Sequence, residues 1–134
     1  MIWGHGIAHE VIHSWNGHGF ARTSQDEEWL KEGLTECFTI LVRSRSGLDC
    51  EERVSRRLEN CMRHHVLSKM MMGSESTPRE AGHNKHRERM LVYGGGTLVG
   101  HAFDVRIREA THNVKGMDDY LGTMFAEFGD GGPG

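Results

Sequence analysis

The chain has 134 residues, which is enough for one domain with a single modest core. Its formal net charge of −3, counted with neutral histidines, excludes the basic profile of a general nucleic-acid binder. No apolar run approaches the roughly 20 residues that a membrane-spanning helix needs. We therefore expect neither nucleic acid nor a membrane as a partner.

Cysteine usage is sparse and unpatterned. Cys37, Cys50 and Cys61 are odd in number and show no C-x-x-C spacing, so neither a disulfide framework nor a thiolate metal site is indicated. This favours a reduced compartment. No signal peptide is visible, but the first helix starts almost at Met1, and an excerpt of a longer protein with further domains is one expectation.

The first predicted helix covers residues 2–15. Ile7, Val11 and Trp15 recur at four-residue intervals, which predicts an apolar stripe facing the core. We expect a turn from Asn16 to Thr23 to follow.

A second helix is predicted from about 25 to 43. Ser24 and Glu27 have the spacing of a capping box at its start, and Gly47 is expected to end it. The predicted core contacts of this helix are Trp29, Leu34, Phe38 and Leu41.

Three further helices, a loop and a tail complete the predicted architecture. Asp49 with Glu52 repeats the capping-box pattern and predicts a third helix to about Met72, followed by a polar loop over 73–86. A fourth helix is expected from 87 to 111, interrupted or closely packed at Gly94–Gly96, and a last one from 117 to 128.

No period-2 strand signal is present, so the fold class is all-α with about five helices in a domain of residues 1–128. Residues 129–134 are predicted to be a flexible Gly-rich tail.

The first helix carries the pattern H-E-x-x-H at residues 9–13. Residues four apart lie on one helical face, so His9 and His13 can bind one metal ion. Glu10 is turned about 100° around the helix, which lets its carboxylate act on a water bound to that metal. The pattern is typical of zinc hydrolases, which add a general base to two histidine ligands.

A third ligand is expected from the second helix. Catalytic zinc usually takes three protein ligands, and Glu32 completes the pattern H-E-x-x-H-x18-E if the two helices are antiparallel. Glu36, one turn later, could accept a hydrogen bond from the far nitrogen of a ligating histidine. His5 lies one turn before His9 and is expected to pack beside the metal ligands.

The segment from His9 to Phe38 resembles the glutamate-zincin peptidases, which include the thermolysin and aminopeptidase N families. The runs 13–17 (HSWNG) and 29–36 (WLKEGLTE) are most similar to the glycyl aminopeptidase family. The run 92–99 (VYGGGTLV), with 104–108 (DVRIR), is similar to the helix that carries that family's active-site tyrosine. The resemblance covers most of residues 1–128.

The resemblance implies a role for each matching residue. His9, His13 and Glu32 would bind one Zn²⁺, Glu10 would be the general base and acid, and Tyr93 would stabilise the tetrahedral oxyanion. The implied activity is hydrolysis of a peptide substrate, of the aminopeptidase type. The implied fold is the α-helical half of a zincin catalytic domain without its β-sheet half.

Two departures from the family pattern support alternatives. Gly95 stands where aminopeptidase N relatives usually have lysine, and the chain has no Gly-x-Met-Glu-Asn segment to bind a substrate's free amine. One alternative is a zinc-binding helical module, or a partial or degenerate peptidase, that is not catalytic on its own. Another is a helical interaction domain without a metal, in which these side chains are ordinary surface or core residues.

Overall fold

The computed structural model describes residues 3–18, 24–71, 73 and 75–129. Over these ranges the chain is all-α, as the sequence predicts, with six α-helices and no strand. The helices are α1 (Trp3–Ile12), α2 (Glu28–Arg45), α3 (Glu51–Met70), α4 (Pro78–Gly82), α5 (Gly96–Ala110) and α6 (Met117–Phe128). A 3₁₀ turn, Gln25–Glu27, precedes α2, and a π-helical segment, Met90–Gly95, leads into α5. Within these described residues, no helix combines the length and apolarity required to cross a membrane.

The predicted loop over 73–86 is wrong in its middle, where α4 forms. Thr77 caps this helix, because its hydroxyl accepts from the Glu80 N–H while the Glu80 carboxylate accepts from the Thr77 N–H. Pro78 occupies the first helical turn, where its missing N–H costs nothing. The polar composition of the segment concealed this capping box.

The capping interaction predicted at Ser24 occurs at a 3₁₀ turn that precedes the α-helix. The α-helix begins only at Glu28, and its N-cap residue, Glu27, makes no side-chain capping bond. The Ser24 hydroxyl instead accepts from the Asp26 N–H, 3.2 Å away, inside the preceding 3₁₀ turn. The start of the segment is therefore wound more tightly than an α-helix.

The capping box predicted at Asp49 and Glu52 fails for a tertiary reason. The N-cap of α3 is Cys50, and the Asp49 carboxylate accepts from Arg43 Nε at 2.8 Å and Arg43 Nη2 at 3.0 Å. An ion pair with a buried guanidinium is a stronger use of the carboxylate than a backbone cap.

Three predicted features lie partly outside the described residues. These are the end of the turn before α2, at residues 19–23, the end of the third helix at Met72, and the tail beyond residue 129.

Helix α2 is the central element and contacts α1, α3, α4, α5 and the π-helical segment. Its backbone touches that of α5 where Gly33 faces Gly96. A Cβ on Gly33 would lie 2.3 Å from Gly96 Cα, and one on Gly96 would lie 2.5 Å from the Trp29 carbonyl oxygen. Only glycine at both positions permits this approach.

The core consists of two small apolar clusters on either side of that contact. Leu34 and Phe38, as predicted, are buried with Ile12 and Met117, and Leu41 packs against them. The second cluster contains Leu91 and Val92 of the π-helical segment together with Ala81 of α4, and Trp29 packs against it.

The predicted apolar stripe of the first helix does not face the core. Ile7 is 65% exposed, Val11 52% and Trp15 42%. The opposite face of α1, which carries His9 and His13, packs on α2 instead. The polar contacts of these histidines, described below, decide which face is buried.

Replacing Gly33 with alanine tests the backbone contact. We expect G33A to lower the free energy of unfolding by about 3 kcal/mol, because backbone atoms of the Gly96 region cannot move aside for the new methyl group. The measurement is urea denaturation followed by circular dichroism.

The matched control is G122A. A Cβ at Gly122, in α6, meets nothing within 4 Å, so alanine there should leave stability equal or higher by up to about 1 kcal/mol. Equal stability of G33A and the unchanged chain would contradict the close approach.

Candidate metal centre

His9 and His13 lie at the C-terminal end of α1. The α-helical hydrogen bond from the His13 N–H to the His9 carbonyl, 3.2 Å, keeps the two side chains on one face although the helix ends at Ile12. Their ring centroids are 4.8 Å apart and the rings are nearly perpendicular, at 86°. Both residues are buried, with 8% and 7% of their surface exposed.

Glu32, in the second turn of α2, faces the two histidines. Its Oε2 atom lies 3.4 Å from His9 Nε2 and 3.3 Å from His13 Nε2. The potential ligand atoms of the three residues lie within 4.8 Å of one another, so this buried group could hold a metal ion. The structure thus brings together all three ligands predicted from the sequence.

The outer nitrogen of His13 is held by the backbone. Nδ1 lies 2.9 Å from the Asn16 carbonyl oxygen, which can only accept, so Nδ1 carries a proton and a neutral ring would offer Nε2 to a metal ion. Asn16 is itself fixed, because its amide donates to the Lys31 carbonyl and to the Thr35 hydroxyl of α2. This is the tautomer that a metal-binding histidine needs.

The outer nitrogen of His9 is held by a carboxylate. Glu36 Oε2 lies 3.0 Å from His9 Nδ1, which is the contact that the sequence predicts. Glu36 Oε1 lies 2.7 Å from His5 Nε2, so His5 supports the carboxylate rather than joining the ligand group. A carboxylate in this position orients the ring and increases the basicity of Nε2.

Without a metal, a proton occupies the space between His9 and Glu32. Burial disfavours the charged imidazolium, but hydrogen bonds to Glu32 and Glu36 outweigh it and raise the pKa of His9 to about 9. Burial also disfavours the Glu32 carboxylate, yet its bonds to His9, Lys85 and Tyr93 hold the pKa of Glu32 well below its usual range. The group therefore stores an ion pair that a metal ion would replace.

Tyr93 lies in the π-helical segment, next to the ligands. Its ring stacks on that of His9 with centroids 5.9 Å apart and an angle of 30° between the ring planes. Burial and the neighbouring Glu32 carboxylate raise the pKa of Tyr93 to about 12, so its hydroxyl stays protonated and can donate a hydrogen bond.

Glu10 is exposed and lines a cavity of about 600 Å³. His9 and Tyr93 line the same cavity, which is bounded by α1, α3 and the π-helical segment. Glu10 and Tyr93 therefore border one space on the solvent side of the ligand group.

Lys85 is a component of the site that the sequence analysis missed. Its Nζ atom donates to Glu32 Oε1 and to Glu28 Oε1, both at 2.7 Å, and lies 5.9 Å from the centre of the Tyr93 ring. The lysine sits in the segment predicted as a polar loop, far along the chain from its partners. No spacing rule connects them; the only available signal is that buried carboxylates require a cation.

Comparison of the chain with protein-family models, curated proteins and solved structures finds no match.

The raised pKa of His9 makes the stability of the metal-free chain depend on pH. The charged His9 stabilises the fold fully below its unfolded pKa of about 6.5, and this contribution is lost as the pH rises through about 9. In the presence of a chelator, the free energy of unfolding should fall by an amount on the order of 3 kcal/mol from pH 6.5 to pH 9. Urea denaturation at several pH values measures this.

The control for the pH effect is H86Q, which removes an exposed histidine. In this variant the free energy of unfolding should keep the same slope against pH. The variant H9Q should lack the slope. A slope that persists in H9Q would assign the effect to another group.

Replacing Lys85 with methionine tests its role between the two carboxylates. K85M leaves Glu28 and Glu32 buried without this cation, so the metal-free chain should lose roughly 2 kcal/mol of stability, less than for a fully buried pair because Lys85 is 29% exposed. Chelator-treated samples are compared by urea denaturation with K115M, a change at an exposed lysine. Equal stability of the two variants would contradict the prediction.

Proposed function

We propose that this chain is a zinc-dependent metallopeptidase that hydrolyses peptide bonds. The observation that carries the proposal is the convergence of His9, His13 and Glu32 on one point, beside a cavity that Glu10 and Tyr93 line. His9, His13 and Glu32 are the ligands that the H-E-x-x-H-x18-E pattern predicts, and Glu10 is the second residue of that pattern. The resemblance to the glycyl aminopeptidase family supports the amino-terminal type of cleavage.

The donor set and its dimensions favour zinc. Two imidazole nitrogens and one carboxylate oxygen are a common ligand set of catalytic zinc. Ligands bound tetrahedrally at about 2.0–2.1 Å lie about 3.3–3.4 Å from one another. The two measured distances from Glu32 Oε2 to the imidazole nitrogens, 3.3 and 3.4 Å, match this edge length.

In the proposed hydrolysis, the metal ion and the side chains of the site have different tasks. Zinc, when bound, lowers the pKa of its water to about 7 and polarises a carbonyl group. Glu10 accepts the proton of the attacking water and passes it to the leaving amine, a contribution of about 10²–10⁴-fold. Tyr93 donates its hydroxyl hydrogen to the oxygen on which negative charge develops. Glu36 and Asn16 keep both imidazoles in the required orientation.

A second candidate function is a zinc-binding helical module that is not catalytic on its own. It is favoured by the lack of any strand in the described ranges, because peptidases of the resembled group hydrogen-bond their substrate along a sheet edge. Both candidate functions include zinc binding, and only the first includes hydrolysis of a peptide.

The first test is the metal content of the dialysed chain by elemental analysis. We expect about one zinc per chain, and a strongly reduced content in E32A, because that variant removes one of three ligands. The matched control E127A changes an exposed helical glutamate and should keep its zinc. Absence of metal from the unchanged chain would remove both candidate functions.

The second readout is peptide hydrolysis by the zinc-loaded chain and by E10Q. The substitution should keep the zinc and reduce kcat at least 100-fold, because Glu10 lies outside the ligand group but is the proposed general base. The variant E127Q should retain full activity. Full zinc occupancy without hydrolysis of any peptide would favour the binding module.

A further inference from the structure

We propose that the cavity beside the metal centre binds a carboxylate group of the peptide substrate through Arg57 and Arg89. The inference deepens the proposed peptidase function and rests on it for the class of ligand. Its basis is that two arginines, one on α3 and one at the start of the π-helical segment, line the cavity that Glu10 and Tyr93 also line.

Arg57 differs from Arg56 and Arg63, which lie on the same helix, in its charged partners. Arg56 and Arg63 pair with glutamates one turn earlier, at 2.6 and 2.5 Å, and both pairs are exposed to solvent. Arg57 lies on the cavity wall, and its Nε atom is out of contact with water and has no hydrogen-bond partner. Arg57 therefore has no glutamate partner along the helix, and its ion-pair partner is Asp49.

The nearest acid to Arg57 is already neutralised. Asp49 accepts two hydrogen bonds from Arg43, at 2.8 and 3.0 Å, and one from Arg53 at 3.3 Å. Arg57 Nε lies farther from that carboxylate, at 3.6 Å, beyond hydrogen-bond distance. Three guanidinium groups thus share one carboxylate, which leaves a net positive charge beside the cavity that Arg57 lines.

Arg89 supplies the second charge, from the start of the π-helical segment. Its guanidinium carbon lies 5.8 Å from the centre of the Tyr93 ring, next to the proposed oxyanion donor. Lys85, which lies against the same ring at 5.9 Å, pairs instead with Glu28 and Glu32. Within the part of the chain that the structure describes, Arg89 has no acidic partner.

The remaining charged groups of the cavity leave room for an anion at this end. The acids are Glu36, which His5 and His9 already bind, and Glu10, which lies next to His9 on α1. The neutral or titratable lining on the side of α3 consists of Asn60, Cys61 and His64. Apart from Glu10, the lining of this cavity therefore presents no acid that lacks a partner.

A peptide offers a carboxylate from two sources, an acidic side chain near the cleaved bond or the terminal carboxylate. Guanidinium groups bind either with paired charge-assisted hydrogen bonds. The chemistry is shared, and the peptides used in the test distinguish the sources.

The test uses alanine tetrapeptides that carry one glutamate or one glutamine, each with a free or an amidated C-terminus. Binding is measured by isothermal titration calorimetry to E10Q, both zinc-loaded and chelator-treated, so that the result does not depend on turnover. We expect peptides with the recognised carboxylate to bind about tenfold more tightly than their neutral counterparts. In R89Q the ratio of the dissociation constants of the neutral and the carboxylate peptides should fall close to one. R89E should prefer peptides that carry lysine.

The matched control is R87Q, an exposed arginine of the same segment that does not line the cavity and should keep the ratio. A preference for glutamate over glutamine assigns the carboxylate to the side chain, and a preference for the free over the amidated terminus assigns it to the chain end. Equal binding of all four peptides, or an unchanged ratio in R89Q, would overturn the proposal. Failure to hydrolyse any peptide would instead remove the peptidase function and leave the binding result standing.

Discussion

Gly33 and Gly96 bring the backbones of α2 and α5 into direct contact, and the candidate site depends on this constraint. Glu32 precedes one glycine and Tyr93 stands three residues before the other, so the contact sets the separation of the two side chains. Any side chain between the helices would move the π-helical segment, and with it Tyr93 and Arg89, away from the ligand group. The packing of two residues without side chains thus fixes the distance between residues that carry the chemistry.

Helix α1 packs on α2 through the face that carries the candidate metal ligands. The stability of this packing and the binding of a metal ion are therefore linked. Ile7, Val11 and Trp15 are exposed, so the docking of the helix on α2 depends on Ile12, which is buried with Leu34 and Phe38, and on the contacts of His9 and His13. These contacts are hydrogen bonds and ion pairs, whose net contribution is modest because the same groups are well hydrated in the unfolded chain. A metal ion bound by ligands from both sides of this packing would therefore add stability to it.

The sequence predicted the parts of the site that helical geometry determines and missed those that depend on tertiary contacts. His9, His13 and Glu36 follow from four-residue spacing within a helix, and Glu32 follows once two antiparallel helices are assumed. Lys85 does not follow, because the loop that carries it reaches Glu32 only after folding. The wrong assignments of Asp49 as a cap and of the α1 stripe as core have the same origin. In each, a buried polar pairing outweighed a local rule.

The charges around the ligand group show why a proton and a metal ion compete for it. Glu28, Glu32 and Glu36 contribute three negative charges, and Lys31 and Lys85, which reach Glu32 Oε1 at 3.5 and 2.7 Å, neutralise two of them. The proton on His9 balances the third, so the metal-free group is neutral as a whole. A divalent cation in place of that proton leaves one positive charge in excess. In the proposed hydrolysis of a peptide bond, negative charge would develop on the carbonyl oxygen, and a metal-loaded site with this excess would stabilise that charge more than the neutral substrate.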